Sequence, residues 1–505
     1  MIKSIIDYLE YSVKKEPTKI AFVEQNKKIN YINLIYKAKT IATSIIYKEI
    51  ENKSPIVVLL DKNINALISI FGISYSGNVY VPLDVHSPIN RLNLILEVIK
   101  PSLIITDQKF IDKVKQLNFN KENICLFEDL LKEEVDNFKI DMIISKIIDT
   151  DPAYIICTSG STGIPKGVVI SHRAVIDFTE ESSEVMNLSD KEVLANQAPF
   201  YFDASVPDIY CTIRNTATLH IIPQKMFVFP IKVLEYIKEN KITAIYWVPS
   251  ALIIIANLRA LGEVDISCLK KVMFCGEVMP TKQLNMWREN LPNAMYVNYY
   301  GPSEATYAST YYIVDRVFEN DESLPIGKAA INTGILILND EGNLVKGDEI
   351  GELCIKGSGL SSGYYNNPEK TKKVFVQNPL NKMYPEIIYR TGDLVKYNKY
   401  GEIEYVCRKD FQIKHMGYRI ELGEIESVAM SDIEVKRACC LYNNKKKQIV
   451  IVIEGNIGKI QLGNLFKDKL PEYMIPGQVI VIDKMPMNAN GKIDRVLLNS
   501  IYSEN

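Results

Sequence analysis

The stretch Thr158–Gly167, Thr-Ser-Gly-Ser-Thr-Gly-Ile-Pro-Lys-Gly, constrains this chain more than any other. Seven of its ten residues are Gly, Ser or Thr. It joins two apolar runs, Ala153–Cys157 and Val168–Ile170, that read as buried strands. A loop of this composition packs poorly against a core and is suited to wrapping an anion. Gly160, Gly163 and Gly167 permit positive φ and close backbone approach, so successive N–H groups can face one concavity. Ser159, Ser161 and Thr162 add hydroxyls, and Lys166 adds a point charge. A Walker loop is excluded, because counting from Gly160 places Pro165 where that motif requires glycine. The competing reading is a solvated surface loop.

At 505 residues the chain exceeds one ordinary core, so two or more domains are expected. Its 47% hydrophobic and 24% charged residues fit a soluble globular protein. A net charge of −2 argues against a surface built for nucleic acid. No apolar run is long enough to span a bilayer, so membrane insertion is not expected. The N-terminus places Asp7 and Glu10 among apolar residues and reads as an amphipathic helix, not a signal peptide. Nine cysteines without a Cys-x-x-Cys pair predict buried thiols in a reducing cytoplasm. Four histidines make a His-based metal site an unfavoured reading.

Up to about residue 150, helical and strand patterns alternate. Tyr31–Ile46, Ala66–Tyr75 and Arg91–Ile99 carry helical spacing. Ser54–Leu60, Val79–Leu83 and Leu103–Thr106 read as buried strands. This alternation predicts βα units and a largely parallel sheet. Apolar runs within 195–210, 243–249, 271–279 and 295–306 each end in a polar or glycine-bearing turn. Ligands of open α/β sheets sit at such strand ends. After Tyr389–Tyr400 the character changes. A small α+β unit is expected, with helices near Glu424–Met430 and Gln461–Leu470. Its strands are read at Ala438–Tyr442, Ile449–Glu454 and Gln478–Ile482, with Lys445–Lys447 as a hairpin tip.

Several further stretches join the glycine-rich loop. They are Val81-Pro-Leu-Asp84, Phe202-Asp-Ala-Ser-Val206, Asn298-Tyr-Tyr-Gly-Pro-Ser-Glu304, Gly351-Glu-Leu353 and Tyr389-Arg-Thr-Gly-Asp393. Arg408-Lys-Asp410 leads into Gly417-Tyr-Arg-Ile-Glu-Leu-Gly-Glu424, and Asn490-Gly-Lys-Ile-Asp494 closes the series. In this order, across nearly the whole chain, they resemble the adenylate-forming enzymes, the superfamily of acyl-CoA synthetases, luciferases and nonribosomal-peptide adenylation domains. The resemblance implies an α/β fold. A large N-terminal domain of sheets flanked by helices, residues 1–407, would carry a small mobile α+β domain, residues 408–505, on a hinge near Asp410.

It also implies a reaction, attack of a carboxylate on the α-phosphorus of ATP with loss of pyrophosphate, and assigns residues to it. Thr158, Ser159, Gly160, Ser161, Thr162, Gly163 and Lys166 would hold the β- and γ-phosphates. Gly276, Glu277, Asn298, Tyr300, Gly301, Ser303, Asp393 and Arg408 would complete the nucleotide site. Tyr300 would stack on adenine, Asn298 bond its amino edge, and Asp393 accept from the ribose hydroxyls. Ser303 stands where the family usually has Thr and keeps the hydroxyl for the α-phosphate. Glu304 would be the Mg2+ ligand, since a hard cation prefers carboxylate and phosphate oxygen. Lys492 would be the acylation lysine, although a Lys after Asn-Gly is by itself an ordinary turn residue. Lys414 would serve the second, thiolation step.

Asp203 resembles the aspartate that pairs with a substrate α-ammonium in peptide-synthetase adenylation domains. A buried carboxylate without a cation is costly, which favours an amine-bearing substrate. The alternative is a helix N-cap. Phe202, Ala204, Pro207, Tyr246, Met273, Cys275, Tyr299, Tyr307 and Ala308 match the substrate pocket. Phe274-Cys-Gly-Glu-Val278, Asp410-Phe-Gln-Ile-Lys414 and Tyr473-Met-Ile-Pro476 look like the D-alanine–carrier protein ligases, but Ala204, Tyr299 and Tyr307 depart from their pocket. The tyrosines could fill the space or offer hydroxyls to a polar side chain. The expected activity is ATP-dependent formation of an aminoacyl adenylate from a small or neutral amino acid. Transfer to the phosphopantetheine thiol of a separate carrier protein would follow, since no carrier is expected after Lys492. A CoA ligase for a carboxylic acid and a non-catalytic nucleotide-binding protein are the alternatives. The latter would be expected to lack Glu304, Lys492 or the loop glycines.

Overall fold

The computed structural model describes residues 2–160, 164–410, 412–487 and 493–502. Two large sheets form its body. The first has six strands, in the order Ile124–Leu126, Leu103–Thr106, Pro55–Val58, Val79–Pro82, Pro152–Thr158 and Lys166–Ser171. It is parallel except for the last pair, a hairpin around the glycine-rich loop. Pro55–Val58, Val79–Pro82 and Leu103–Thr106 are buried at every residue, as expected where helices cover both faces. The helix read at Tyr31–Ile46 has those bounds, and Asn30 caps it by accepting from the Asn33 amide. The helix Ile64–Tyr75 ends before Gly77, which takes φ +73°.

The second sheet has nine strands. Its centre is parallel and runs Met295–Tyr300, Lys271–Phe274, Ala244–Trp247, Val193–Asn196, Thr218–Ile221 and Ile20–Glu24. The largest apolar core lies between the two sheets, around the helices His172–Val185 and Val206–Asn215.

The sequence reading did not anticipate a third, antiparallel sheet. Thr333–Leu338, Gly351–Gly357, Ile387–Tyr397 and Phe375–Gln377 pair in that order, and Ile403–Arg408 adds to Ile387–Tyr397. Gly351–Gly357 is buried at its first five residues and the other strands only in part, and mixed polar and apolar sequence hides the pattern.

Residues 412–487 and 493–502 build the small α+β part. A hairpin, Gln412–His415 with Tyr418–Glu421, precedes a three-stranded sheet of Val435–Asn443, Gln448–Gly455 and Gln478–Ile482. The helices Leu422–Met430 and Lys459–Lys469 pack on it, and Arg495–Tyr502 follows. This core does not stand alone. Tyr418 stacks on Tyr473 at 3.7 Å and meets Phe202 of the large domain edge-on at 4.4 Å. Among the described residues no helix is long and apolar enough to cross a membrane.

Candidate active site

The carboxyl ends of four parallel strands of the nine-stranded sheet open onto one cavity. Asp203 and Ala204 follow Val193–Asn196, Val248 follows Ala244–Trp247, Cys275 and Gly276 follow Lys271–Phe274, and Ser303 follows Met295–Tyr300. Thr158 and Ser159 reach it from the six-stranded sheet, Asp393 and Arg408 from the antiparallel sheet, and Gly417 and Arg419 from the hairpin of the small domain. All three sheets and the small domain therefore meet at one point, at the strand ends where α/β sheets bind ligands.

Glu304 follows Ser303 of the lining but does not itself line the cavity, and it is fully buried. Burial alone would raise its carboxyl, but the Arg419 guanidinium and the Lys166 ammonium hold it well below the usual carboxylate range. Lys166 Nζ donates to Glu304 Oε1 at 3.1 Å, the Tyr364 hydroxyl donates to the same oxygen at 2.8 Å, and Arg419 donates to Oε2. Burial lowers the Lys166 ammonium to about 8 against the opposing pull of Glu304. Lys166, expected to face phosphate, thus faces Glu304 instead, because a buried ammonium takes the nearest buried carboxylate. Arg419 and Tyr364 were not singled out from the sequence. Arg419 stood in the quoted Gly-Tyr-Arg stretch, whereas nothing local marked Tyr364.

The donor chemistry fits a magnesium nucleotide. Mg2+ is held by one or two carboxylates together with substrate phosphates; Glu304 is a buried carboxylate next to the lining, and Asp203 and Asp393 line the cavity itself. The described residues hold no group of three or more His, Cys, Asp or Glu able to cage a metal alone. Thr158 Oγ1 is buried without a hydrogen-bond partner at the head of the glycine-rich loop, an orphan suited to an incoming oxygen.

Of the two roles expected for the loop glycines, close approach is the one seen at Gly160 and Gly167. Neither Gly160 nor Gly167 has positive φ. A Cβ on Gly160 would lie 2.0 Å from the Ile164 carbonyl oxygen, and one on Gly167 would meet Ile155 and Ile99 within 2.8 Å. Close approach, not left-handed backbone, demands them. Ser161, Thr162, Gly163 and Lys492 lie outside the described residues. The Ser159 hydroxyl donates to the Arg419 carbonyl at 2.7 Å and accepts from the Glu421 amide at 3.2 Å, so the small domain occupies it.

Asp203 caps neither the 3-10 turn it opens nor the helix Val206–Asn215. Burial pushes its carboxyl up, while Ser303 and Lys414 pull the other way. The Ser303 hydroxyl, expected at the α-phosphate, donates to Asp203. No cation lies within ion-pair distance of Asp203 among the described residues. Phe202, Ala204, Cys275 and Tyr307 line the cavity beside it. Pro207, Tyr246, Met273, Tyr299 and Ala308 lie behind that lining. There Ser182 Oγ bonds the Tyr246 hydroxyl at 2.9 Å and the Tyr299 hydroxyl at 3.3 Å. Ser182 is a further residue that spacing did not reveal.

The residues expected at the nucleoside are gathered too. The Tyr300 hydroxyl donates to Asp393, and Arg408 donates to Asp393 at 2.8 Å. Asn298 Nδ2 donates to the Pro325 carbonyl at 2.8 Å, which turns its amide nitrogen away from an adenine edge. Gly301 admits the Tyr307–Ala308 backbone, which a Cβ would meet within 2.6 Å. Glu277 accepts the Ser250 and Gly417 amides, both at 2.9 Å, and so ties the large domain to the small one. Asp410 accepts two bonds from Arg408, at 2.6 and 2.9 Å. Lys414 Nζ stands 5.8 Å from the centre of the Tyr300 ring. It lines both this cavity and a wider cleft of about 1150 Å³ between the domains.

Comparison with known proteins agrees with this geometry. The profile of the AMP-binding enzymes matches residues 9–365. Gramicidin S synthase 1 of Brevibacillus brevis is 32% identical over 499 residues, 98% of this chain and 44% of that protein, so the chain spans less than half of that relative. Zwittermicin A synthase ZmaJ of Bacillus cereus is 32% identical over 505 residues, covering 98% of this chain and 94% of its own length. The adenylation domain AlmE of Vibrio cholerae, solved with glycyl-adenosine-5'-phosphate, superposes with a TM-score of 0.85 at 20% identity over 100% of this chain and 98% of its own, a likeness of fold. A profile match across most of the chain, together with a relative of similar length, establishes that this chain belongs to the AMP-binding enzyme family.

Proposed function

We propose that this protein activates an amino acid with ATP and passes it to a phosphopantetheine thiol on a carrier protein. The observation that carries the amino-acid reading is Asp203, a half-buried carboxylate lining the cavity with only a hydroxyl for a hydrogen-bond partner among the described residues. A substrate ammonium would supply the missing charge, whereas a fatty or aryl acid would leave it unpaired.

In the first step a substrate carboxylate oxygen attacks the α-phosphorus. The bond to the β-phosphate breaks, and pyrophosphate leaves with its electron pair. Two anions approach, so the site must supply positive charge and oriented donors. Glu304 would hold Mg2+, whose part is to neutralise phosphate charge. The glycine-rich loop receives the leaving phosphates, and Lys492 stabilises the charge shared by carboxylate and α-phosphate. Asp393 and Tyr300 hold the nucleoside. Residues 1–407 act as the large domain and 408–505 as the small one, turning at Asp410, which leaves Arg408 as its stop. In the second step the thiolate sulfur attacks the acyl carbon and AMP departs. The thiol proton goes to solvent along the cleft beside Lys414.

The test is ATP–pyrophosphate exchange over D- and L-amino acids, aryl acids and fatty acids, followed by acyl transfer to holo-carrier protein or to CoA. Exchange with amino acids and transfer to the carrier is the expected result. Exchange confined to acids lacking an amine, with CoA as acceptor, would replace this reading with that of a CoA ligase.

A further inference from the structure

We infer that Tyr307 plugs the substrate pocket and restricts the amino acid to a side chain no larger than a methyl or hydroxymethyl group, as in glycine, alanine or serine. The inference rests on the amino-acid reading of Asp203.

Tyr307 and its neighbour Thr306 have φ of +69° and +53°. Two successive non-glycine residues in the left-handed region are strained, and a bulky aromatic there is an outlier that the surroundings must enforce. The enforcement is visible on each side. The Thr306 hydroxyl donates to the Gly359 carbonyl at 2.8 Å, and the Cys275 thiol donates to the Tyr307 carbonyl at 3.8 Å. That carbonyl oxygen also lies 2.5 Å from where a Gly301 Cβ would stand, so the turn is pressed onto the end of Met295–Tyr300. Tyr307 lines the cavity at this strained turn.

The ring is then held from behind. Phe178 meets it edge-on at 5.2 Å and meets Tyr299 at 6.4 Å. One turn along the same helix, Ser182 binds the Tyr246 and Tyr299 hydroxyls, and Tyr246 also donates to the Cys211 thiol. For Tyr307 to swing back, this cluster of packed rings and bonded hydroxyls would have to open. Ala204, Cys275 and Tyr307 therefore form one stretch of the cavity wall beside Asp203. With the α-ammonium on Asp203, the substrate Cβ points at that wall, and a branched or aromatic side chain has nowhere to go.

The test is the ratio of kcat/KM in pyrophosphate exchange for glycine, alanine, serine, valine, leucine and phenylalanine. The native chain is expected to use the first three. Tyr307→Ala should raise the valine and leucine ratios to glycine by about tenfold or more, the scale on which added methylenes are discriminated. Ala204→Leu narrows the opposite wall and should discriminate against alanine and serine relative to glycine, which keeps the test decisive if Tyr307→Ala does not fold. A native preference for leucine or phenylalanine overturns the plug and leaves the amino-acid reading standing. Exchange with amine-free acids alone overturns both.

Discussion

The floor beneath Asp203 and the seam between the two domains are both buried and both polar, yet they are built from opposite chemistry. The floor is made of hydroxyls on packed rings, Ser182, Tyr246 and Tyr299, all from the large domain. The seam is made of full charges from opposing domains. Arg419 of the small domain meets Glu304, and Arg91 meets Glu424 with both side chains almost wholly buried. Neutral hydroxyl bonds are individually modest, and these can be broken only by disturbing the core that surrounds them. Ion pairs are costly to bury and strongly destabilised when one partner is removed, but separating the domains returns each charge to water. The contrast teaches where each property can reside. Under the proposed function, selection of the substrate would belong to a surface that cannot exchange partners, and the catalytic charges to one that can.

The largest effect is expected from Glu304→Gln, which strands Lys166 and Arg419 without a counter-charge. Calorimetry should show a loss of about 3–5 kcal/mol together with loss of pyrophosphate exchange. An unchanged unfolding midpoint would mean the seam is already hydrated, and the contrast with the floor would collapse. Next, Lys492→Ala should lower pyrophosphate exchange by about 10²–10³. Its unfolding midpoint should match that of the native chain, and retained exchange would remove Lys492 from the first step.

The third effect is on pH. Burial raises the Asp203 carboxyl above its ordinary 3.8, and only the ionised form pairs with an ammonium. The KM for amino acid should therefore climb by up to about tenfold per unit as pH falls below that raised value, and level off above it. The KM for ATP measured alongside should not follow the same curve. If it does, Asp203 supports the fold and not the substrate.

Smaller still, Arg91→Ala leaves Glu424 without its cation and should loosen the seam. A several-fold faster proteolytic cleavage near residues 408–412, with amino-acid preference unchanged, is the expected pattern. A changed preference would show that floor and seam are coupled. The smallest effect is expected from Tyr246→Phe, which removes one hydroxyl from Ser182 and should cost about 1 kcal/mol of stability. Cleavage near residues 408–412 should stay at the native rate.

The sequence by itself determined the α/β body, because long apolar runs and helical spacing are local signals. The helix Tyr31–Ile46 and the strands Leu103–Thr106 and Gln478–Ile482 have the bounds read from the chain. It also determined the family, because ordered motifs such as Phe202–Val206 and Asn298–Glu304 survive without knowledge of their contacts. The antiparallel sheet of residues 333–408 was not legible, since polar residues such as Glu352, Thr391 and Asp393 are buried in its strands and interrupt the apolar pattern. Nor were the partners within the site. Tyr364 stands 60 residues from Glu304 and Arg419 stands 115 residues from it, and no local pattern encodes a pairing at that separation. The resemblance placed Tyr246, Tyr299 and Tyr307 at the pocket but could not say which one lines the cavity. Only tertiary structure decided that, because a ring's direction depends on the left-handed turn at Thr306–Tyr307 and on the neighbours that hold it there.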